Sequence, residues 1–219
     1  MAIVENFQRL NREIPGHVKL IVVTKTKGVD EILPIYNTGH KKFGENKVQE
    51  IIRKRPLLPP DIEWHFIGHL QSNKVRTVAP FIHLIQSIDS LRLLKEVDRE
   101  GIKNGRVIRC LLQFHIASEE TKFGLNLSEG RDILEAEEYK KMNNILIIGV
   151  MGMATYTINQ PLIRSEFRTL RNYFNILKND YFGGNDEFCE ISMGMSSDYH
   201  IAIEEGATIV RIGSAIFNT

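Results

Sequence analysis

The sequence predicts an α/β protein of the (β/α)8 TIM-type barrel class, with one extra helix at the N-terminus. Short runs rich in Val, Ile and Leu indicate buried parallel strands, and amphipathic segments separate each run from the next. This alternation yields eight strands, which favours closure of the sheet into a barrel. The chain has 219 residues and no linker or change of composition, so we predict one domain over 1–219. An open doubly wound sheet is the main alternative, but no G-x-G-x-x-G motif follows the first strand.

The first half of the chain supplies the N-terminal helix and four strand–helix units. Val4, Phe7 and Leu10 recur at helical spacing, so the chain opens with an amphipathic helix. The first strand is an apolar, β-branched run, and the helix after the second strand ends before the breaker Pro59-Pro60. In order, the predicted elements are helix 4–14, strand 17–25, helix 29–36, strand 42–45, helix 47–54, strand 62–67, helix 72–78, strand 82–88 and helix 90–104.

The second half continues the same alternation. Ser128 followed by Glu129 marks the capped start of a helix, and Pro161 lies in the first turn of the longest helix. Gly206 ends the last helix, and an apolar strand follows it. In order, the predicted elements are strand 107–117, helix 128–142, strand 145–153, helix 160–177, strand 188–193, helix 198–205 and strand 208–217.

Composition and charge argue against several classes of protein. The net charge is +1, so nucleic-acid binding is not expected, and the run Arg53-Lys54-Arg55 is predicted to be a solvated helix end. Cys110 and Cys189 lie far apart within apolar runs, which favours buried, reduced thiols over a disulfide or a zinc site. The sequence contains neither the apolar stretch of a signal peptide nor a run long enough to span a membrane, so we expect a cytoplasmic protein.

Polar side chains concentrate where the predicted strands end. In barrels of this class the active site lies at the C-terminal ends of the strands, so we expect these residues to converge on one mouth. They occupy positions 24–25, 44–46, 65–69, 87, 115–118, 153–155, 192–196 and 211–214.

Lys25 ends the first predicted strand and is the candidate for covalent chemistry. An apolar strand end partly desolvates an amine, and this favours the neutral, nucleophilic form that Schiff-base chemistry needs. From position alone, a lysine that extends to solvent remains the simpler interpretation. Lys27 is the competing candidate, although we place it in the following loop.

Small residues follow the last two predicted strands. Segment 192–196 follows strand seven and Gly213-Ser214 closes strand eight, where backbone N–H groups and hydroxyls are able to approach an anion. Phosphate often binds at these two loops of a barrel, although ordinary turn chemistry is the alternative. Together with a strand-end lysine, the pattern indicates a phosphorylated carbonyl compound. Pyridoxal 5′-phosphate (PLP) is one such compound, and the sugar phosphate of an aldolase is another.

Two further residue types bear on the site. Arg211 lies inside the apolar run of strand eight, so it is either aimed at a ligand or paired with a helix carboxylate. Beside a pyridine nitrogen, an arginine would disfavour protonation of the ring. His65, His69 and His115 lie near strand ends without a metal-binding motif such as H-E-x-x-H, so we predict no metal site.

Eight segments, taken in order, resemble a known family across essentially the whole chain. They are VVTKTK, FGENKVQE, WHFIGHLQSNK, SID, TKFGL, GVMGMAT, ISMGMSSDYHIAIEEGAT and VRIGSAIF. The family that they resemble is that of the pyridoxal phosphate homeostasis proteins, also described as PLP-binding proteins. The sequence departs from the family at Gln86, where many relatives have histidine.

The resemblance implies a barrel like the N-terminal domain of alanine racemase, with PLP held as a Schiff base on Lys25. It also implies buffering or delivery of PLP, with apo forms of PLP-dependent enzymes as candidate partners and effects on amino-acid and keto-acid balance. Arg211 would lie beside the ring nitrogen. The positions carried over as pocket or phosphate contacts are Asn46, Ser87, Ser192, Met193, Gly213 and Ser214.

The resemblance further predicts a carrier without established turnover. Alanine racemase adds a second, β-rich domain and a tyrosine base from across a dimer interface, and we find no segment here for that domain. We therefore expect a monomer that binds PLP. A PLP-dependent racemase or lyase acting on amino acids, and a Schiff-base aldolase, are the alternatives.

Overall fold

Eight parallel strands pair in chain order and close into a barrel in the computed structural model, which describes residues 2–119 and 123–218. The first and last strands complete the ring through register pairs from Lys19 with Ile209 to Val22 with Ile212. The predicted barrel is therefore confirmed. The strands are β1 (Lys19–Val23), β2 (Lys42–Glu45), β3 (Glu63–Phe66), β4 (Leu84–Ile88), β5 (Ile108–Phe114), β6 (Ile145–Gly152), β7 (Glu190–Ser192) and β8 (Ile209–Ile212).

Helices follow the strands, and the predicted extra helix precedes β1. They are α1 (Ala2–Glu13), α2 (Val29–Tyr36), α3 (Val48–Lys54), α4 (Ser72–Val78), α5 (Leu91–Lys103), α6 (Leu127–Glu135), α7 (Glu137–Lys140), α8 (Gln160–Tyr181), α9 (Tyr199–Glu204) and α10 (Ser214–Phe217). Across the described part of the chain, every helix is too short or too polar to cross a bilayer. Thr121 and Lys122 of the TKFGL segment lie outside the described residues.

Two apolar layers hold the barrel together. The larger layer packs between the strands and the helices, and it takes Trp64 and Phe66 from β3. His65 lies between them and points the other way, into the interior, because successive side chains alternate along a strand. The apolar residues that fill the interior are Ile21, Leu84, Leu111, Ile148, Met151 and Ile209.

The prediction of a last strand over 208–217 is wrong for its second half. The strand ends at Ile212, and α10 begins directly after Gly213. A Cβ at position 213 would lie 2.9 Å from the Val23 carbonyl oxygen, so this close approach of two strand ends requires a glycine. The Ile216 N–H then donates to the Gly213 carbonyl (2.9 Å) and turns the chain into a helix.

The predicted helix 128–142 is also corrected. The helix begins after Asn126, whose side chain accepts the Glu129 N–H (3.0 Å), while the Glu129 carboxylate accepts the Asn126 N–H (2.8 Å). This capping box makes Asn126 the cap instead of Ser128. Ala136 has a ψ of 134°, which is an extended conformation, and it divides the segment into α6 and α7.

The two cysteines differ in environment. Cys110 is buried as predicted, and burial raises the pKa of its thiol. Cys189 is exposed immediately before β7, so the prediction of a buried thiol is wrong there. Both are free thiols.

His40 makes folding stability depend on pH. Its ring contacts the edges of Phe7 and Phe43, and burial lowers the pKa of the imidazole although its Nε2 lies 2.8 Å from the Lys42 carbonyl oxygen. The unfolded chain therefore binds more protons than the folded chain once the pH falls below about 6.5. We expect the free energy of unfolding to decrease on acidification through that value.

The measurement is urea unfolding at neutral pH and at about pH 5.5. The substitution His40→Gln should reduce the loss of stability on acidification, while His17→Gln, at an exposed position, should leave it unchanged. An equal loss of stability in wild type and His40→Gln would contradict the prediction.

Candidate functional site

A cavity of about 790 Å³ opens at the C-terminal ends of the strands. Its lining comes from segments that follow strands far apart in sequence, as expected for the mouth of a barrel. Five of the eight predicted site residues line it, namely Lys25, Asn46, Arg211, Gly213 and Ser214. The other lining residues are Val23, Ile67, Gly68, Met153, Tyr156, Met195, Ser196, Ser197, Ala215 and Asn218.

Lys25 lies in the turn after β1, two residues beyond the end of the strand, and its side chain is exposed at the cavity. Thr24 before it is fully buried, and its N–H donates to the Gly44 carbonyl (2.9 Å). Thr26 after it has a φ of +65°, the only positive φ of a non-glycine residue within 2–119 and 123–218. This conformation strains a β-branched residue. The backbone around Lys25 is therefore anchored on one side and forced into a tight turn on the other.

Lys27 has partners of its own. Its Nζ lies 3.1 Å from Glu31 Oε1 and 5.2 Å from the centre of the Phe217 ring. Of the two candidate lysines, Lys25 is the one that lines the cavity.

A buried ion pair supports the turn that carries Lys25. Lys54 is 2% exposed, so the prediction of a solvated helix end is wrong at this residue. Its ammonium donates to Glu45 Oε1 (2.6 Å) and to the Thr24 carbonyl (2.8 Å), and it lies 2.9 Å from Glu50 Oε2. Burial raises the pKa of Glu45, and the hydrogen bonds from Lys54 and Thr24 act against that shift. Lys54 therefore links the backbone next to Lys25 with the side chain of Glu45, which directly precedes Asn46.

Another part of the cavity wall combines the turns after β7 and β8. The Ser196 hydroxyl oxygen accepts the N–H of Gly213 (3.3 Å) and of Ala215 (3.2 Å). Gly194 has a φ of +92°, and a Cβ there would lie 2.6 Å from the Ala202 Cβ, so the turn after β7 also requires glycine. Backbone N–H groups and serine hydroxyls thus gather on one wall, which suits a phosphate group.

Arg211 forms the floor of the cavity and is held rigidly. Its guanidinium donates to the Ser192 hydroxyl (2.5 Å) and to the Gly152 carbonyl (3.0 Å), and the Ser192 hydroxyl donates to Gln86 Oε1 (2.6 Å). Burial lowers the pKa of Arg211 to about 10, so the side chain keeps its charge at neutral pH. The site therefore contains a fixed positive charge below the cavity.

The three other predicted site residues lie in the barrel wall instead of the cavity lining. Ser192 supports Arg211, and Met193 is fully buried in the core. Ser87 is fully buried, and its hydroxyl has no hydrogen-bond partner among the described residues. Of these three residues, Ser192 therefore acts on the site through Arg211.

Other residues correct or extend the predicted site. His65 was predicted near the mouth but lines a cavity at the opposite, N-terminal opening of the barrel. The sequence did not identify Lys54 or Tyr156 as residues of the site. The only signal for Lys54 was its spacing of four residues from Glu50, which places the two on one face of a helix. Tyr156 lies in the loop after β6 and is 84% exposed, and no sequence pattern distinguishes it.

Comparison with known proteins gives one family and a consistent set of relatives. The family described as "Alanine racemase, N-terminal domain" matches residues 1–219. The pyridoxal phosphate homeostasis protein of Aquifex aeolicus is 40% identical over 91% of this chain and 86% of the relative. The protein of the same name from Haemophilus influenzae is 35% identical over 91% of this chain and 84% of the relative.

Solved structures agree with these relatives. PipY of Synechococcus elongatus with PLP bound superposes with a TM-score of 0.88 at 32% identity, covering 99% of this chain and 100% of PipY. Alanine racemase of Clostridium difficile superposes with a TM-score of 0.79 at 10% identity, which indicates a shared fold. The alignment covers all of this chain and 56% of the racemase.

Proposed function

Because this chain belongs to the pyridoxal phosphate homeostasis proteins and to the alanine racemase N-terminal domain family, we propose that it binds PLP at the C-terminal mouth of its barrel. Lys25 holds the cofactor as a Schiff base. The observation that carries this proposal is that Lys25 and the turn of Ser196 and Gly213 line one cavity. An amine and a set of anion-binding groups in one cavity are what a phosphorylated aldehyde requires.

The residues of the cavity fit such a group. A volume of about 790 Å³ is ample for a small phosphorylated ring. The turn of Gly213 and Ser214, with the hydroxyls of Ser196 and Ser214, holds the phosphate, and Asn46 lines the same cavity as Lys25. Bound PLP supplies an electrophilic carbonyl and an electron-withdrawing ring. The fixed charge of Arg211 below the cavity opposes protonation of the ring nitrogen, which weakens the ring as an electron sink.

The role we propose is PLP homeostasis in the cytoplasm, by buffering or delivery to apo-enzymes, without catalytic turnover. The names of the relatives support this role, since those proteins are described as homeostasis proteins. Effects on amino-acid and keto-acid balance would follow from the supply of cofactor. The proposed carrier acts as a monomer and as one domain.

The test compares two neighbouring lysines. Wild type incubated with PLP should show the visible absorption of a Schiff base, and borohydride should fix one PLP on Lys25. Lys25→Ala should lose both signals. Lys27→Ala should keep both, because Lys27 pairs with Glu31 and lies over the Phe217 ring.

Four outcomes would contradict the proposal. A colourless wild type would exclude PLP binding, and a fixed PLP on Lys27 would exclude the assignment of Lys25. Borohydride trapping of a sugar phosphate, but not of PLP, would favour the aldolase. Steady racemisation or elimination of amino acids that depends on Lys25 would replace the carrier with a PLP-dependent enzyme.

A further inference from the structure

A second cavity, of about 280 Å³, lies at the N-terminal opening of the barrel. Its lining includes His65 from β3 and His83, which directly precedes β4. The His83 N–H donates to the Trp64 carbonyl (2.9 Å), so the backbone fixes the position of the second histidine beside the first. Glu63, two residues before His65, shares the same face of β3. The sheet thus brings two imidazoles and a carboxylate to one end of the barrel.

These three side chains are close enough to share one ligand. Each offers one donor atom, and the three atoms lie within 4.8 Å of one another. His83 Nε2 is 3.8 Å from Glu63 Oε2, and the two imidazole rings stack with their centres 5.3 Å apart. The ligands of a tetrahedral zinc ion lie about 3.4 Å apart. A movement of about an ångström by the three side chains would therefore bring their donor atoms to the spacing that such an ion requires.

His65 provides an independent sign that a ligand is missing. The residue is 3% exposed, and its Nε2 has no hydrogen-bond partner among the described residues. Its Nδ1 lies 3.0 Å from the Gln86 side-chain amide. Buried polar atoms are almost always paired, because an unpaired one loses its hydration without compensation. A metal ion bound to Nε2 would supply the partner that the protein does not.

The electrostatics of the cavity are compatible with a cation. Arg106 acts on His83, and its guanidinium donates to the carbonyl oxygens of Ala79 and Ile82. Of the three cations that line the cavity, Lys19 pairs with Glu190, and Arg109 Nη2 lies 3.7 Å from Glu187. Lys42, the third cation, lies 3.6 Å from Glu63 and is 38% exposed, so it is free to move to solvent when a metal takes its place.

We propose that Glu63, His65 and His83 form a binding site for a divalent transition-metal cation of the zinc class, with water completing the coordination. Two imidazoles and one carboxylate are a common ligand set for zinc. When Nε2 of His65 binds the ion, its Nδ1 carries the proton. Nδ1 then donates a hydrogen bond to Gln86 Oε1, so the Gln86 amide must turn over from the orientation in which Oε1 accepts from the Ser192 hydroxyl. After this turn, Gln86 Nε2 donates to Ser192 Oγ. The contact between Nδ1 and Gln86 orients the imidazole, as is usual for histidine ligands.

The test uses protein without an affinity tag and two metals. Titration with Co²⁺ should give visible ligand-field absorption that saturates at one ion per chain, and Zn²⁺ should abolish it. His83→Gln and Glu63→Gln, at partly exposed positions, should each weaken binding roughly tenfold or more. His200→Gln, an exposed histidine on α9, is the matched control and should bind as wild type does.

The Lys25→Ala variant separates this site from the cofactor site at the opposite end of the barrel. It should bind Co²⁺ with unchanged affinity, whether or not the proposed function is correct. Absence of saturable Co²⁺ binding in folded protein would overturn the metal site. Wild-type Co²⁺ affinity in both His83→Gln and Glu63→Gln would overturn it as well. If His200→Gln weakened Co²⁺ binding as much as His83→Gln and Glu63→Gln do, the binding would be adventitious surface binding, which would also count against the site.

Discussion

Replacing Lys54 with methionine is expected to lower the free energy of unfolding by about 3–5 kcal/mol, the range measured when one partner of a buried ion pair is removed. Glu45 is 0% exposed, and Lys54 is its only cationic partner within the described chain. Methionine matches the length of the lysine stem but leaves the carboxylate with the Thr24 hydroxyl alone. The same change removes the hydrogen bond that holds the Thr24 carbonyl, so the affinity for PLP should also fall.

Urea denaturation and PLP titration measure the two effects. Arg53→Met is the matched control, because Arg53 is exposed and pairs with the same Glu50, and its stability should stay within about 0.5 kcal/mol of wild type. In the double variant Glu45→Gln/Lys54→Met no charge is left unpaired, so the loss should be smaller than the sum of the single losses. Additive losses, or a Lys54→Met variant as stable as Arg53→Met, would contradict the interpretation.

Replacing Gly68 with alanine is expected to cost about 3 kcal/mol, the upper end of the usual range for overpacking. A Cβ at this position would lie 2.2 Å from the Asn46 carbonyl oxygen and 2.8 Å from the Asn46 Cα. Backbone atoms cannot rotate away, so the loops after β2 and β3 must separate. Both residues line the cavity, and we therefore expect PLP binding to weaken together with stability.

Gly16→Ala is the control for this prediction. No heavy atom of the described chain lies within 4 Å of a Cβ at Gly16, which is exposed in the connection between α1 and β1. This variant should retain wild-type stability and PLP affinity. Thermal unfolding and PLP titration of both variants provide the measurement. Equal behaviour of Gly68→Ala and Gly16→Ala would show that the close approach of the two loops has no energetic consequence.

Local patterns in the sequence carry most of the fold. Buried parallel strands are continuous apolar runs and the helices are amphipathic, so the order and type of the elements follow from residues close together along the chain. Position alone made Lys25 a candidate and left a solvent-exposed role open. The motifs from VVTKTK to VRIGSAIF, through their resemblance to a PLP-binding family, then favoured PLP over a sugar phosphate as the ligand.

The sequence by itself therefore determined the barrel fold, the C-terminal end of the strands as the place of the site, and Lys25 as the lysine to test. Only the tertiary structure decided that Lys54 is buried against Glu45, that Ser196 joins two turns, and that His65 faces the other end of the barrel. Each of these depends on contacts or burial created by packing in three dimensions. A charged or polar residue has the same local pattern in solvent and in the interior, because its burial is set by partners that the folded chain brings to it.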